Sequence, residues 1–239
     1  MPARLFIKKV VQSVIRVDFL NVRNWTSLDT SINIGICRCI QNKGISRACH
    51  RIIIKMTIYT KNGDKGKTKV FDKASGKLVP VSKMSCKIRS IGTIDELNSI
   101  LGVVISFSQD KVLQKLLREV QGDLFTINAI LAGSDLKFSK IKVKRLERQI
   151  DKWEGELPVQ KNFIYYGGSQ VSSLLFYARG ICRRAERSLV SFSRVFHNSL
   201  LVSHISPYIN RLSDYLFVFG RYENIKNKTK EEFWLGASK

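Results

Sequence analysis

Between residues 95 and 223, apolar residues return every three or four positions in five long stretches, at about 95–108, 112–132, 140–153, 169–193 and 203–223. That period lines up one face of an α-helix, and stretches this long exceed ordinary strands. Breakers fall between them or near their ends: Gly133, Pro158, Gly167, Gly168 and Pro207. With 4 prolines in 239 residues, little interrupts a long helix. The economical arrangement is a five-helix antiparallel bundle of the up-down, ferritin-like kind, so the expected fold class is all-α. No internal repeat marks a solenoid.

The length suits one substantial domain plus an extension. Residues 1–55 look like that extension: ten Lys/Arg stand against Asp18 and Asp29, with no clear amphipathic period. Three readings compete for it: a mitochondrial-type transit peptide, a natural basic extension, or translated sequence upstream of a start at Met56. The expected domain therefore runs over 56–239, in the cytoplasm, or in the mitochondrial matrix if the transit reading holds. The net charge of +22 invites a nucleic-acid or anionic-membrane reading. The excess is spread along the chain, however, as on a solvated surface, so neither nucleic acid nor membrane is expected as a partner. No uncharged apolar run approaches the roughly 18 residues of a span. Cys37, Cys39, Cys49, Cys86 and Cys182 are an odd set without paired spacing, so reduced thiols are expected. Cys37, Cys39, Cys49 and His50 cluster, but in no familiar four-ligand zinc spacing.

Four segments carry candidate chemistry. In the fourth helical stretch, Arg179, Arg183, Glu186 and Arg187 fall at i, i+4, i+7 and i+8 on one face, beside an apolar stripe of Leu175, Ala178, Cys182, Ala185 and Leu189. Such a stripe is commonly a solvated face. Three arginines with one carboxylate nevertheless leave a positive surplus that suits a polyphosphate. The loop from Thr60 to Thr68 combines glycines, lysines and hydroxyls that fit a phosphate cradle or a plain lysine-rich turn. It is no Walker A loop, because Lys61 stands where the first glycine belongs and no helix start follows. Thr93 with Glu96 reads as a capping box that opens the first helix, with carboxylates in its first turn. In the last helix Asn210, Ser213 and Asp214 share a face, and a helix-interior asparagine points to a side-chain task.

Together, IYTKNGDKGKT, GTIDELNSILG, FIYYGGSQVSSLLFYARGICRRAER and INRLSDYLFVFGRY, in that order, resemble the PduO-type corrinoid adenosyltransferase family over essentially all of residues 56–239. The resemblance implies transfer of the 5′-deoxyadenosyl group of ATP to the cobalt of reduced cob(I)alamin or a related corrinoid, with release of triphosphate. It also implies a short phosphate-binding loop ahead of the bundle and a homotrimer binding ATP and corrinoid at each subunit interface. Thr60, Lys61, Asn62, Gly63, Thr68, Lys69 and Lys83 are similar to the family's ATP-phosphate and Mg2+ region. Arg183, Arg184, Glu186, Arg187 and Asn210 resemble its remaining ATP contacts. Asp95 and Arg179 resemble an intersubunit salt bridge, and Phe163 the aromatic residue under the corrin. A flavin-dependent reductase and a B12-dependent acceptor enzyme are the implied further partners.

The chain departs from the family pattern at Tyr166 (usually proline), at Phe176 (usually histidine) and in a longer 72–82 connection. Two other classes of function stay open at this point. One is a protein that binds and escorts adenosylcobalamin with slow chemistry. The other is a basic helical nucleic-acid binder with steeply salt-dependent affinity.

Overall fold

The computed structural model describes Tyr59, Lys61, residues 63–72, 75–196 and 201–236. Residues 1–55, including the Cys37, Cys39, Cys49 and His50 cluster, lie outside the described residues, as do Thr57, Ile58, Thr60 and Asn62. The chain divides into two compact units, Met1–Gly63 and Asp64–Lys239, and the second contains every described helix and strand.

The second unit opens with an antiparallel hairpin, β1 (Lys67–Asp72) and β2 (Lys77–Ser82). Here the structure corrects the expectation of an all-α fold: it is mostly helical with a small sheet, and the longer 72–82 connection contains the strand β2. Val70, Val79 and Val81 supply strand propensity. Asp72 accepts hydrogen bonds from the N–H and hydroxyl of Ser75, which closes the turn. Pro80 is tolerated because a two-stranded ribbon has an open edge.

Five helices follow: α1 (Cys86–Phe107), α2 (Lys111–Ala132), α3 (Ile141–Glu154), α4 (Gln170–Phe196) and α5 (Ser206–Lys226), the last preceded by a π-helical turn at Leu201–Ile205. Four of them lie close to the periodic stretches. The first starts nine residues before position 95. Its cap is Ser85, whose hydroxyl accepts from the Ile88 N–H, and not Thr93, which sits inside the helix and donates to the Ser90 carbonyl. Asp95 and Glu96 therefore stand in the helix interior, not in its first turn.

α4 is the central element, packed against α1 and α5, while α3 packs on α5 and α2 on α1. Its partners run antiparallel to it. Ser90 reaches the Ser188 carbonyl and Arg184 reaches Glu96, while Ser172 meets the Gly220 carbonyl and Cys182 the Ile209 carbonyl. The stripe read from the sequence forms this seam, since Leu175, Ala178, Cys182, Ala185 and Leu189 are fully buried. Each large apolar side chain so buried stabilises the fold by about 1.5–3 kcal/mol. α1 is long and apolar enough to cross a bilayer by length and composition, but it carries Arg89, Asp95 and Glu96 and buries a face in this core. Between α2, α3 and α5, the buried Asp123 accepts from Lys142, from Arg145 at 2.6 Å and from the Tyr208 hydroxyl at 2.9 Å, so its charge is compensated.

Candidate functional site

The arginine face of α4 is built by who pairs with whom. Arg184 pairs with Glu96 on α1. Glu186 accepts from the Asn210 side-chain N–H at 2.8 Å. Arg183 and Arg187 are exposed, and neither has an ion pair or side-chain hydrogen bond among the described residues. Arg184, which the helical spacing did not place on that face, is neutralised from α1, and the surplus charge stays on Arg183 and Arg187, with Arg179 one turn earlier. Arg183 and Arg187 stand one turn apart, where like charges repel by about 0.2–0.5 kcal/mol unless an anion bridges them. The thiol beneath them is not a competitor. Burial, and then the Glu186 charge, push the Cys182 thiol far up, so it stays neutral and unreactive.

One turn earlier, Arg179 lies over two aromatic rings, its guanidinium carbon 5.3 Å from the centroids of Tyr166 and Phe217. It also donates to the Tyr166 hydroxyl at 3.1 Å. Asp95 is exposed on α1, and no ion pair joins it to Arg179 within one chain among the described residues. From Arg179 to Arg187 the helix rises about 12 Å.

Before α4 the chain presents Phe163, 73% exposed. This segment is not a lone loop, because the C-terminal tail pairs with it. Tyr165 N–H donates to the Glu232 carbonyl at 2.9 Å, Trp234 N–H donates to the Phe163 carbonyl at 2.7 Å, and Ile164 bridges Phe233. The Trp234 ring lies 6.3 Å from that of Phe163, and the two line a cleft with Gln160, Asn162 and Leu235. Two polar anchors hold this ribbon. Arg221 grips both oxygens of Glu231 at 2.8 and 3.0 Å and the Pro158 carbonyl at 3.1 Å, with both charged side chains only 7% exposed. Asn224 accepts from the Ser169 N–H and donates to the Gly167 carbonyl, each at 2.9 Å. Gly168, at φ +110, is required there, since a Cβ would fall 2.2 Å from the Asn224 side chain.

Of the loop residues, Thr68 and Lys69 lie on β1, opposite Val81 and Pro80. Lys83 closes the same end of the ribbon, its N–H donating to the Gly66 carbonyl at 2.9 Å. Thr68 faces inward with buried Val70 while Lys69 faces out, so they do not share a face as a continuous loop would allow. Lys61, at φ 58, and Gly63 belong to the first unit.

A family model described as Cobalamin adenosyltransferase matches residues 58–223. The chain belongs to that family. It is 38% identical over 182 residues to a corrinoid adenosyltransferase of Bacillus subtilis, covering 72% of this chain and 89% of that one. It is 34% identical over 189 residues to the mouse corrinoid adenosyltransferase MMAB, covering 74% and 76%. Among solved structures, it is similar to a variant PduO-type ATP:corrinoid adenosyltransferase from Lactobacillus reuteri complexed with cobalamin and ATP. The TM-score is 0.67 at 33% identity, over 75% of this chain and 100% of that one. Another variant of the Lactobacillus protein, complexed with ATP, gives 0.67 at 36% identity, over 74% and 99%.

Several features of this adenosyltransferase escape sequence reasoning. Glu96 as the partner of Arg184 and the tail beside Phe163 join residues distant in sequence, and the Arg221–Glu231 bridge joins a helix to the tail that follows it. The tail alone carried a signal: Phe233, Trp234 and Leu235 form an apolar run after the helix ends.

Proposed function

We infer that this chain transfers the 5′-deoxyadenosyl group of ATP to the cobalt of reduced cob(I)alamin or a related corrinoid, forming adenosylcobalamin and releasing triphosphate. The observation that carries this reading is the unpaired couple Arg183 and Arg187, beside Arg184, which Glu96 neutralises, and Glu186, which Asn210 engages. An exposed, uncompensated guanidinium pair is poised for a polyphosphate.

Cob(I)alamin is the nucleophile. Its cobalt attacks the ribose 5′ carbon as the bond from that carbon to the triphosphate oxygen breaks, and the electron pair leaves with the triphosphate. No general base is needed, so the protein contributes orientation and electrostatics. Arg183 and Arg187, with Arg184, receive the departing charge. Asn210 holds Glu186 through its side-chain N–H. By the family resemblance, Thr60, Lys61, Asn62 and Gly63 in the first unit and Thr68, Lys69 and Lys83 in the second are further phosphate contacts. Mg2+ favours one or two carboxylates together with phosphate oxygens and water. Glu186, the carboxylate on the arginine face, fits that role beside a bound nucleotide, where the ion would offset phosphate charge. Phe163 and Trp234 present the apolar surface that receives the corrin, and Phe163 disfavours a lower axial ligand on the cobalt.

The antiparallel up-down bundle and the homotrimer belong to the same reading, with Asp95 of one subunit reaching Arg179 of the next. The adenosyltransferase domain spans 56–239 and residues 1–55 form an extension. Sequencing the mature N-terminus separates a mitochondrial-matrix enzyme, from which a transit segment is removed, from a cytoplasmic one. A flavin-dependent reductase supplies Co(I), and a B12-dependent enzyme accepts the product.

The test is anaerobic incubation with ATP, Mg2+ and chemically reduced cobalamin, following the visible spectrum for the Co–C product and the release of triphosphate. One triphosphate per adenosylcobalamin is expected. Absence of both overturns the reading, and tight product retention without turnover favours an escort protein.

A further inference from the structure

We propose that Tyr166 is a positioning residue: together with Phe217 it fixes the Arg179 guanidinium and so ties the Phe163 segment to the arginine helix. This rests on the adenosyltransferase reading and adds to it a contact that couples the two halves of the site.

A surface arginine ordinarily samples many rotamers. Arg179 has its guanidinium carbon at 5.3 Å from two ring centroids and one N–H on the Tyr166 hydroxyl at 3.1 Å, which selects a single placement. The rings are themselves held. Buried Phe176 lies 5.3 Å from the Tyr166 ring and 5.9 Å from Phe217, forming a floor beneath both. Gly220 makes room for that floor, since a Cβ there would come within 2.8 Å of the Phe176 ring. Tyr166 and Phe217 meet edge to face at 6.5 Å and 83°. Residues 166, 176 and 217 thus form one packed cluster with the arginine as its lid.

The placement has two consequences. Tyr166 is three residues after Phe163, in the segment pinned at its other side by the C-terminal tail, so the contact with Arg179 sets where Phe163 stands relative to α4. The guanidinium has five N–H donors, and one goes to Tyr166. Its other donors make no ion pair or hydrogen bond among the described residues. Because Tyr166 acts on the corrinoid side, its loss alters corrinoid recognition and leaves nucleotide recognition in place.

The experiment is steady-state adenosylation by full-length wild type, Y166A and Y166F, with KM measured separately for cob(I)alamin and for ATP. Y166A is expected to raise the corrinoid KM about five- to tenfold, on the scale of one lost cation–ring contact and hydrogen bond. The ATP KM is expected to stay within about twofold, since the Arg183 and Arg187 face is untouched. Y166F keeps the ring and its packing on Phe176, folds as the wild type does, and is expected to recover most of the loss. An unchanged corrinoid KM in Y166A, or equal rises in both KM values, would overturn the proposal. If Y166A does not fold, Y166F alone decides: a corrinoid KM raised about two- to threefold with ATP unaffected supports it, and no change contradicts it. A wild type that makes no adenosylcobalamin overturns the proposed function instead, so the two failures are told apart.

Discussion

Asn210 on α5 donates its side-chain N–H to Glu186 on α4 at 2.8 Å, and the one carboxylate of the arginine face makes no ion pair with Arg183 among the described residues. Glu186 and Arg183 are three residues apart on a helix, where such pairs ordinarily form. N210A frees Glu186 to neutralise Arg183. The expected outcome is an ATP KM raised about tenfold, equivalent to ~1.4 kcal/mol, with little change in the corrinoid KM. An unchanged ATP KM would show that Asn210 only links the helices.

Phe163 is expected to act on the corrinoid rather than on the fold, since its ring is largely exposed. F163A slows reaction from Co(II) with a reductant more than from pre-reduced Co(I), because a lower ligand left in place hinders reduction. Parallel progress curves from the two starting states check this. Equal slowing would assign the ring to packing alone.

The helices were legible where one face is apolar and long. α2 to α5 fall near their periodic stretches because Gly133 and Pro207 punctuate them as expected. The start of α1 was hidden for a packing reason. Ser90 is fully buried with its hydroxyl on the Cys86 and Ser188 carbonyls, so the approach of α1 to α4 uses a small polar residue that reads as loop. The hairpin was hidden by Ser75, Gly76 and Pro80, although Val70, Phe71, Leu78 and Val79 are strand formers. At the site, helical spacing grouped Arg179, Arg183 and Arg187. It could not tell that Arg184 is neutralised by Glu96, 88 residues away, or that Arg179 is held by aromatic rings. Periodicity reports faces within an element, whereas partners depend on how elements pack.

The buried Arg221–Glu231 pair anchors the C-terminal tail. E231A leaves Arg221 buried without its counterion, at a cost of about 3–5 kcal/mol. The unfolding temperature is expected to fall by about 10 °C. Limited proteolysis is expected to cut the tail first. The double variant R221M/E231M removes both charges and is expected to regain most of the loss. Equal destabilisation of the single and double variants would contradict a charge-compensation role.

Glu223 is buried, and its Oε1 has no hydrogen-bond partner among the described residues. Desolvation raises its carboxyl above the usual value of 4.5, against an opposing pull from Lys226. The ionised form is thus disfavoured in the fold, so this group lowers stability as pH rises above the unfolded value through the folded one. E223Q is expected to raise the unfolding temperature at pH 7 by about 2–4 °C, for ~1 kcal/mol, with the gain vanishing toward pH 4. Thermal melts at both pH values check it. A gain independent of pH would show that ionisation is not the cause.

The central claim is that unpaired guanidinium groups on α4 stabilise a departing triphosphate, and R183A tests it most directly. In a single turnover from pre-reduced cob(I)alamin with saturating ATP and Mg2+, formation of the Co–C bond is expected to slow by about 10²–10³-fold, the scale of a lost donor to developing negative charge. The exposed position of Arg183 means that the unfolding temperature is expected to stay unchanged. Adenosylation by R183A at the wild-type rate would contradict the account.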